Sequence, residues 1–327
     1  MVMTLARFNF ILPGLDPPTM SNMYKAGLDM VSYGEEHGLD MVTLEEHHGA
    51  ENGWSSTPLL NAGMMLARTS RVTVGLMALL VPLHDPLRIA EDIAVLDLAS
   101  GGRFSFIAGV GYRPAEFAAH GKDWASRGKL MDEALDAMLK AWTGEPFEYR
   151  GTTVRVTPRP LTQPHPPLMV GGTSRPSARR AARFGLPLFP ADHMPELEAY
   201  YYEQCAAQGT QGFCMMPGAE TTMLFVAEDP DKAWAELGPH LLHEATTYAS
   251  WQTPDIRSAA HSHATTVEEL RAEGKYSIRT PEEVIAKAKA DGDLAACNLH
   301  PMCGGIPVDT AWEHYQLYFD KVLPALR

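Results

Sequence analysis

Residues 71–113 read RVTVGLMALLVPLHDPLRIAEDIAVLDLASGGRFSFIAGVGYR. The apolar run Val72 to Val81 predicts a strand. Pro86 to Leu98 then has helical spacing, with Pro86 in the first turn, where a missing N–H is tolerated. Arg103 to Ala108 is strand-like again and leads into Gly109 and Gly111. A strand, a helix and a second strand in this order make one βα repeat, which predicts parallel pairing.

The same alternation extends outward in both directions. Upstream, Phe8 to Leu12 predicts the first strand, Met20 to His37 a helix closed at Gly38, and Asp40 to Leu44 the second strand. Pro58 to Arg68 follows as a helix with Thr57 as its N-cap. Downstream, Ser126 to Trp142 is a periodic helix, and the Thr- and Pro-rich segment from Phe147 to Pro167 reads as an excursion or short hairpin. Strands are predicted at Leu168–Val170, Leu186–Phe189, Thr222–Ala227 and Ala295–His300. Helices are predicted at Ser177–Phe184, Glu196–Ala207, Asp231–Leu242, Pro281–Ala290 and Asp309–Val322. The polar, irregular stretch Thr247 to Tyr276 is a candidate lid. Eight alternations fit an α/β fold of the (β/α)8 TIM-barrel type with insertions, as a single domain over residues 1–327.

Composition narrows the function. The chain has 327 residues and a net charge of −13, from 40 acidic and 27 basic side chains. Nonspecific nucleic-acid binding is disfavoured, because no basic surplus exists to neutralise phosphates. The longest apolar run, around Leu76 to Pro82, is too short to span a membrane. Met1 to Pro13 lacks the pattern of a signal peptide. Cys205, Cys214, Cys297 and Cys303 form no C-x-x-C pair and suggest no disulfide framework. A reducing cytoplasm is the expected setting.

In a barrel, the active site is built where strands end and loops begin. Strand 2 ends in Glu45-Glu46-His47-His48. Neighbouring residues on a strand point to opposite faces, so the two histidines do not form a chelate, and no metal site is expected. One of them should face the barrel mouth as a general acid/base, and His47 is the candidate. Histidines also follow strands 3, 6 and 8, at His84, His193 and His300. After strand 5 comes Gly171-Gly172-Thr173-Ser174-Arg175-Pro176-Ser177. Small residues let the backbone approach an anion, Ser174 can cap the next helix, and the helix N-terminus presents free N–H groups. Arg179 and Arg183 read as a solvated helix face, and Met64 and Met65 as core.

Several of these segments, taken in order, resemble the bacterial luciferase-like flavin monooxygenase family. They are Glu46-His47-His48, Val81-Pro82-Leu83-His84-Asp85-Pro86-Leu87-Arg88, Ser100-Gly101-Gly102-Arg103, Val170-Gly171-Gly172 with Ala178 to Gly185, and Phe319 to Pro324. The resemblance implies a (β/α)8 barrel with His47 as the active-site histidine. It also implies a flavin phosphate held by Arg127, Ser174 and Ser177 beside Gly171 and Gly172. Leu76-Met77 falls where the family has a non-proline cis peptide under the flavin ring. Strand 4 departs from luciferase, with Gly109 and Val110 where luciferase has cysteine and arginine. Light emission from a long-chain aldehyde is therefore not expected, and Arg113 or Arg175 is left to compensate at the phosphate. The implied activity is oxygenation of a small organic substrate with reduced FMN and O2, the FMN supplied by a partner reductase. The alternatives are hydride transfer with the deazaflavin F420 and a non-catalytic flavin-binding accessory protein. A homodimer is also implied, with Met64-Met65-Leu66 near the interface.

Overall fold

Parallel pairing of βα units organises the chain from end to end. The computed structural model describes residues 2–218, 222–252, 256, 258–292 and 295–327. Its main sheet is built from β1 (Met3–Phe8), β2 (Met41–Leu44), β3 (Thr73–Leu80), β4 (Phe104–Gly109), β7 (Leu168–Gly171), β8 (Leu188–Phe189), β9 (Met223–Val226), β10 (Tyr276–Arg279) and β11 (Ala296–Leu299). The hydrogen-bonded order is β10-β9-β11-β1-β2-β3-β4-β7-β8, and each of these pairs is parallel. Helices α1 (Pro17–His37), α2 (Pro58–Ala67), α3 (Pro86–Ser100), α5 (Arg127–Ala141), α6 (Arg175–Phe184), α7 (Pro195–Gln208), α8 (Pro230–Ser250) and α10 (Pro281–Asp291) connect the strands, and α11 (Val308–Leu317) follows the last of them. The result is a TIM-barrel-like α/β fold with insertions. The core lies between strands and helices. Val74 and Leu76 of β3 join Met65 and Leu66 of α2 and Ile89 and Ile93 of α3 in one buried cluster.

Local signals hold at many ends. Gly38 closes α1 at φ 109° and Gly185 closes α6 at φ 65°, both left-handed conformations that suit glycine. The excursion is the hairpin β5 (Phe147–Tyr149) and β6 (Thr152–Val154). Its two-residue turn has Arg150 and Gly151 at φ 49° and 79°, the positive values that match strand twist.

Other expectations are corrected. The first strand is Met3–Phe8, not Phe8–Leu12. Its period-2 burial, with Thr4, Ala6 and Phe8 inside, outweighs the continuous apolar run that follows, and that run turns at Phe10 (φ 55°). Helix α8 continues to Ser250, past the expected stop at Leu242, because its extra turns carry buried Glu244 and Ala245. The stretch Thr247 to Tyr276 accordingly begins as helix and contains the short α9 (Val267–Glu273); residues 253–255 and 257 lie outside the described residues. Strand β10 was not expected, and it pairs with β9 from Tyr276 to Arg279. Thr57 precedes α2 without capping it through its side chain.

The Ser100-Gly101-Gly102-Arg103 motif has a structural explanation. Arg103 donates to the carbonyls of Ser100, Leu66, Thr69 and Val72 and to the Thr69 hydroxyl, at 2.8–3.0 Å. It therefore ties the end of α2 at Leu66 to the Thr69–Val72 turn and to the end of α3 at Ser100. Lysine has three donors and no planar fork. Arg103→Lys is expected to lower stability by about 2–4 kcal/mol, read as a shift in the urea midpoint at unchanged slope.

Candidate active site

Strand β2 delivers Glu45, Glu46, His47 and His48 to the mouth of the barrel. Glu46 turns inward and is 1% exposed. Its Oε1 accepts from His48 Nε2 (2.9 Å) and His84 Nε2 (2.7 Å), and its Oε2 accepts from the Leu80 N–H at 2.5 Å. Burial alone would raise its pKa, but these donors prevail and hold it at about 2. Glu46 thus joins the exits of β2 and β3.

His47 is 6% exposed, and its Nδ1 meets Glu116 Oε1 at 3.1 Å. A carboxylate accepts, so the Nδ1 proton points at Glu116 and Nε2 is left as the acceptor nitrogen of the neutral ring. Glu116 stands on the short helix α4 (Pro114–Ala119) after β4. The same oxygen takes the His48 N–H at 2.9 Å and Arg113 Nη1 at 2.8 Å. Burial opposes ionisation of Glu116, yet His47, His48 and Arg113 keep its pKa below the usual carboxylate range. Around the imidazole stand the rings of Trp251 (4.8 Å between centroids), Trp54 (5.4 Å), Tyr112 (5.9 Å) and Tyr248 (6.2 Å). The Arg113 guanidinium lies 4.0 Å over Trp251. His48 faces the other way, onto Glu46 and the ring of His120 at 4.4 Å. The two histidines therefore divide as the alternation of a strand requires.

Glu116, Trp54, Tyr112, Tyr248 and Trp251 were missed in the sequence. The one available signal was Arg113 and Glu116 at i and i+3, just past the glycines that end β4. Tyr248 and Trp251 come from the end of α8, about 200 residues from His47 in the chain.

The predicted phosphate cradle sits at the N-terminus of α6. Gly172 has φ 139°, and a Cβ there would meet Ser177 at 2.9 Å, so the site requires glycine. The Ser177 hydroxyl is turned inward onto the Ser174 carbonyl at 2.6 Å, and Ser174, exposed at the N-cap, forms a capping box with Ser177. Arg180 donates to the Gly128 carbonyl at 3.0 Å, which sets the first turn of α5 against α6. Arg127 begins α5, and its guanidinium lies 3.7 Å over the ring of Trp124. Arg113 is committed to Glu116, and Arg175 lies 4.8 Å over Tyr200. The glycine backbone, the exposed Ser174 hydroxyl and the helix terminus fit an anionic phosphate.

The non-proline cis peptide is Met77–Ala78, one residue beyond Leu76-Met77. Leu76 points outward into the helix layer at 0% exposure, so its side chain does not line the mouth. Met77, its neighbour on the strand, faces inward and lines a cavity of about 220 Å3 with Ile107, Met169 and Phe213. A smaller cavity of about 60 Å3 lies between β9, β11 and α10. Neither opens on His47.

Beside the His47 chamber lies a buried ion network. Arg7 forks onto Glu45 at 2.8 Å and lies 3.3 Å from Glu244. Glu244 Oε2 accepts from Asn9 (2.6 Å), His300 (2.9 Å) and Cys303 (3.1 Å). Burial would raise Glu244, but His300, Arg7 and Asn9 hold it ionised. Glu244, His300 and Cys303 place ligand-type atoms within 4.8 Å of one another. The adjoining Arg7 cation opposes a second positive charge there.

The pattern of luciferase-like monooxygenases matches residues 3–296. The chain belongs to that family. The FMNH2-dependent dimethylsulfone monooxygenase of Pseudomonas putida is 30% identical over 142 residues, covering 41% of this chain and 38% of that protein. The chain spans between 38% and 66% of the length of the curated relatives it matches. Among solved structures, the monooxygenase RslO1 of Streptomyces bottropensis superposes with TM-score 0.76 at 23% identity, over 100% of both chains. An F420-dependent secondary alcohol dehydrogenase superposes with TM-score 0.67 at 17% identity, again over 100% of both. Among the described residues of this luciferase-like protein, no helix is long and apolar enough to cross a membrane.

Glu46 gives the site its own acid sensitivity. A carboxylate with a depressed folded pKa stabilises the fold above its unfolded pKa and loses that contribution as pH falls through the folded value. Here the window runs from 4.5 down to about 2, a contribution of about 3 kcal/mol. Glu46→Gln is expected to lower stability at pH 7 and to flatten the pH dependence below 4.5, measured by urea unfolding at several pH values.

Proposed function

We propose that the protein is a reduced-FMN-dependent monooxygenase of a small organic substrate. The observation that carries this reading is His47, its tautomer fixed by Glu116, buried among aromatic rings at the strand ends. When bound, reduced FMN supplies the electrons that activate O2. The glycine backbone at Gly171–Gly172, the Ser174 hydroxyl and the α6 N-terminus would hold its phosphate, with Arg127 at the adjoining start of α5. Ser177 supports that turn from inside, and Met77 begins the cis peptide that would border the flavin. His47 Nε2 exchanges a proton with the substrate, and Glu116 keeps the imidazole oriented while it does so. A separate flavin reductase provides the reduced cofactor.

The protein acts as a homodimer through the outer faces of α2 and α3. Leu60, Val95 and Leu98 are 64%, 51% and 43% exposed there, a cluster that subunit pairing would cover. Met65 and Leu66, by contrast, are buried in the core.

Anaerobic titration separates the cofactors. Reduced FMN is expected to bind tightly and F420 weakly; the reverse result replaces oxygenation by hydride transfer, and binding of neither removes the flavin reading. Ser174→Asp sets a negative charge at the phosphate and should weaken FMNH2 at least about tenfold while sparing riboflavin, which lacks the phosphate. His47→Ala should lower substrate turnover about 10²–10⁴-fold, and unchanged turnover would remove its proton-transfer role. Leu60→Asp with Leu98→Asp should give monomers in light scattering.

A further inference from the structure

A residue that passes a proton has to come within hydrogen-bond reach of its substrate. His47 is 6% exposed, and the rings around it touch one another as well as the imidazole. One of these rings therefore has to move before a substrate can arrive. Three of them are anchored through the backbone or a hydroxyl. Trp54 adjoins Ser55, whose N–H binds the Asn9 carbonyl at 2.8 Å and whose carbonyl takes the His47 N–H at 2.9 Å. Tyr112 precedes Arg113, which is fixed on Glu116 Oε1 and the His48 carbonyl. Tyr248 lies inside α8, and its hydroxyl donates to Ser258 Oγ at 3.2 Å.

Trp251 is placed differently. It caps the C-terminus of α8, where its N–H reaches the Tyr248 carbonyl at 3.2 Å and the Gln252 N–H reaches Ala249 at 3.1 Å. The end of a helix opens more readily than its middle. The Trp251 side is partly exposed, so the ring stands between the imidazole and solvent. It lies 4.8 Å from the His47 ring and 4.9 Å from Trp54, under the Arg113 guanidinium at 4.0 Å. Ring stacking and a cation–π contact hold the indole without fixing its backbone. Arg113 stays with Glu116 when the ring leaves, so the seat is kept and the ring can return to it. Resting on the role given to His47 above, we propose that Trp251 is the gate of the site. It closes His47 off in this structure, Arg113 is its latch, and a substrate reaches the imidazole only after the indole has swung out.

Access to His47 can be read directly. Diethyl pyrocarbonate acylates an accessible, unprotonated imidazole nitrogen, and peptide mapping by mass spectrometry gives the rate at each histidine. In the full chain, His47 is expected to react far more slowly than the exposed His37. Trp251→Ala removes the stacking and cation–π contacts together and should speed labelling of His47 at least about tenfold, with His37 unchanged. Trp251→Phe keeps a smaller ring with a weaker hold on Arg113 and should fall between the two. If the Ala variant does not fold, the Phe variant decides alone. Labelling of His47 as fast as His37 in the unmodified protein overturns the gate. So does a rate at His47 that neither substitution changes, and so does an equal rise at both histidines, which marks general loosening. The reagent needs no flavin. Tight FMNH2 binding with unchanged labelling therefore defeats this inference alone, and faster labelling in a protein that binds no flavin defeats the cofactor reading alone.

Discussion

A carboxylate taken out of water must be surrounded by donors, or it costs several kcal/mol. Three glutamates at the barrel mouth obey this constraint, and together they hold the site. Glu46 collects His48, His84 and the Leu80 N–H, joining the ends of β2 and β3. Glu116 collects His47, the His48 N–H and Arg113, joining β2 to the loop after β4. Glu244 collects Asn9, His300 and Cys303, joining β1 and β11 to α8. Adjacent strands already share backbone hydrogen bonds, and the loops after β1 and β2 add a few more, such as the Ser55 N–H to the Asn9 carbonyl. The carboxylates extend order past the last rung of the sheet, and His47 keeps one orientation because of it.

The frame of the fold was legible because its signals are local. Strand β3, helix α3 and strand β4 follow from apolar runs, a proline in a first turn and the glycines after it. Gly38 and Gly185 end helices because an L side chain is strained at positive φ. Where two local signals competed, the reading failed. Phe8 to Leu12 looks more strand-like than Met3 to Phe8, yet the alternation of the earlier segment matches its neighbours: Leu5 pairs with Met41 on one side and Asn298 on the other. The end of α8 contains Thr246 and Thr247, poor helix formers, and looked like a loop. Burial of Glu244 and Ala245 in the tertiary structure overrides that weak preference.

The site itself was half legible. His47 and the Gly171–Gly172 turn could be found because position after a strand carries meaning in a barrel. The partners of His47 could not, because they meet it only through long-range closure. Glu116 is 69 residues away in sequence, and no local period links Trp251 to β2. The Leu76-Met77 pair failed by one residue for a related reason. On a strand a single step exchanges the core face for the lumen, so Leu76 packs under helices while Met77 looks into the barrel.

The distribution of charge explains how one mouth can serve both an anionic phosphate and a set of carboxylates. With a net charge of −13 the protein as a whole repels anions, so attraction has to be local. The buried carboxylates near His47 each have a partner: Glu45 and Glu244 share Arg7, Glu116 pairs with Arg113, and Glu46 accepts hydrogen bonds from two histidines. A matched pair has a field that falls off faster than that of a single charge, so little of this negative charge reaches the α6 terminus. There the backbone N–H groups and helix dipole act without a competing carboxylate, and glycine at 172 lets them be approached. The pairing that immobilises His47 thus lowers the negative charge its own mouth presents, and among the described residues no hydrogen bond runs from His47 to Ser174.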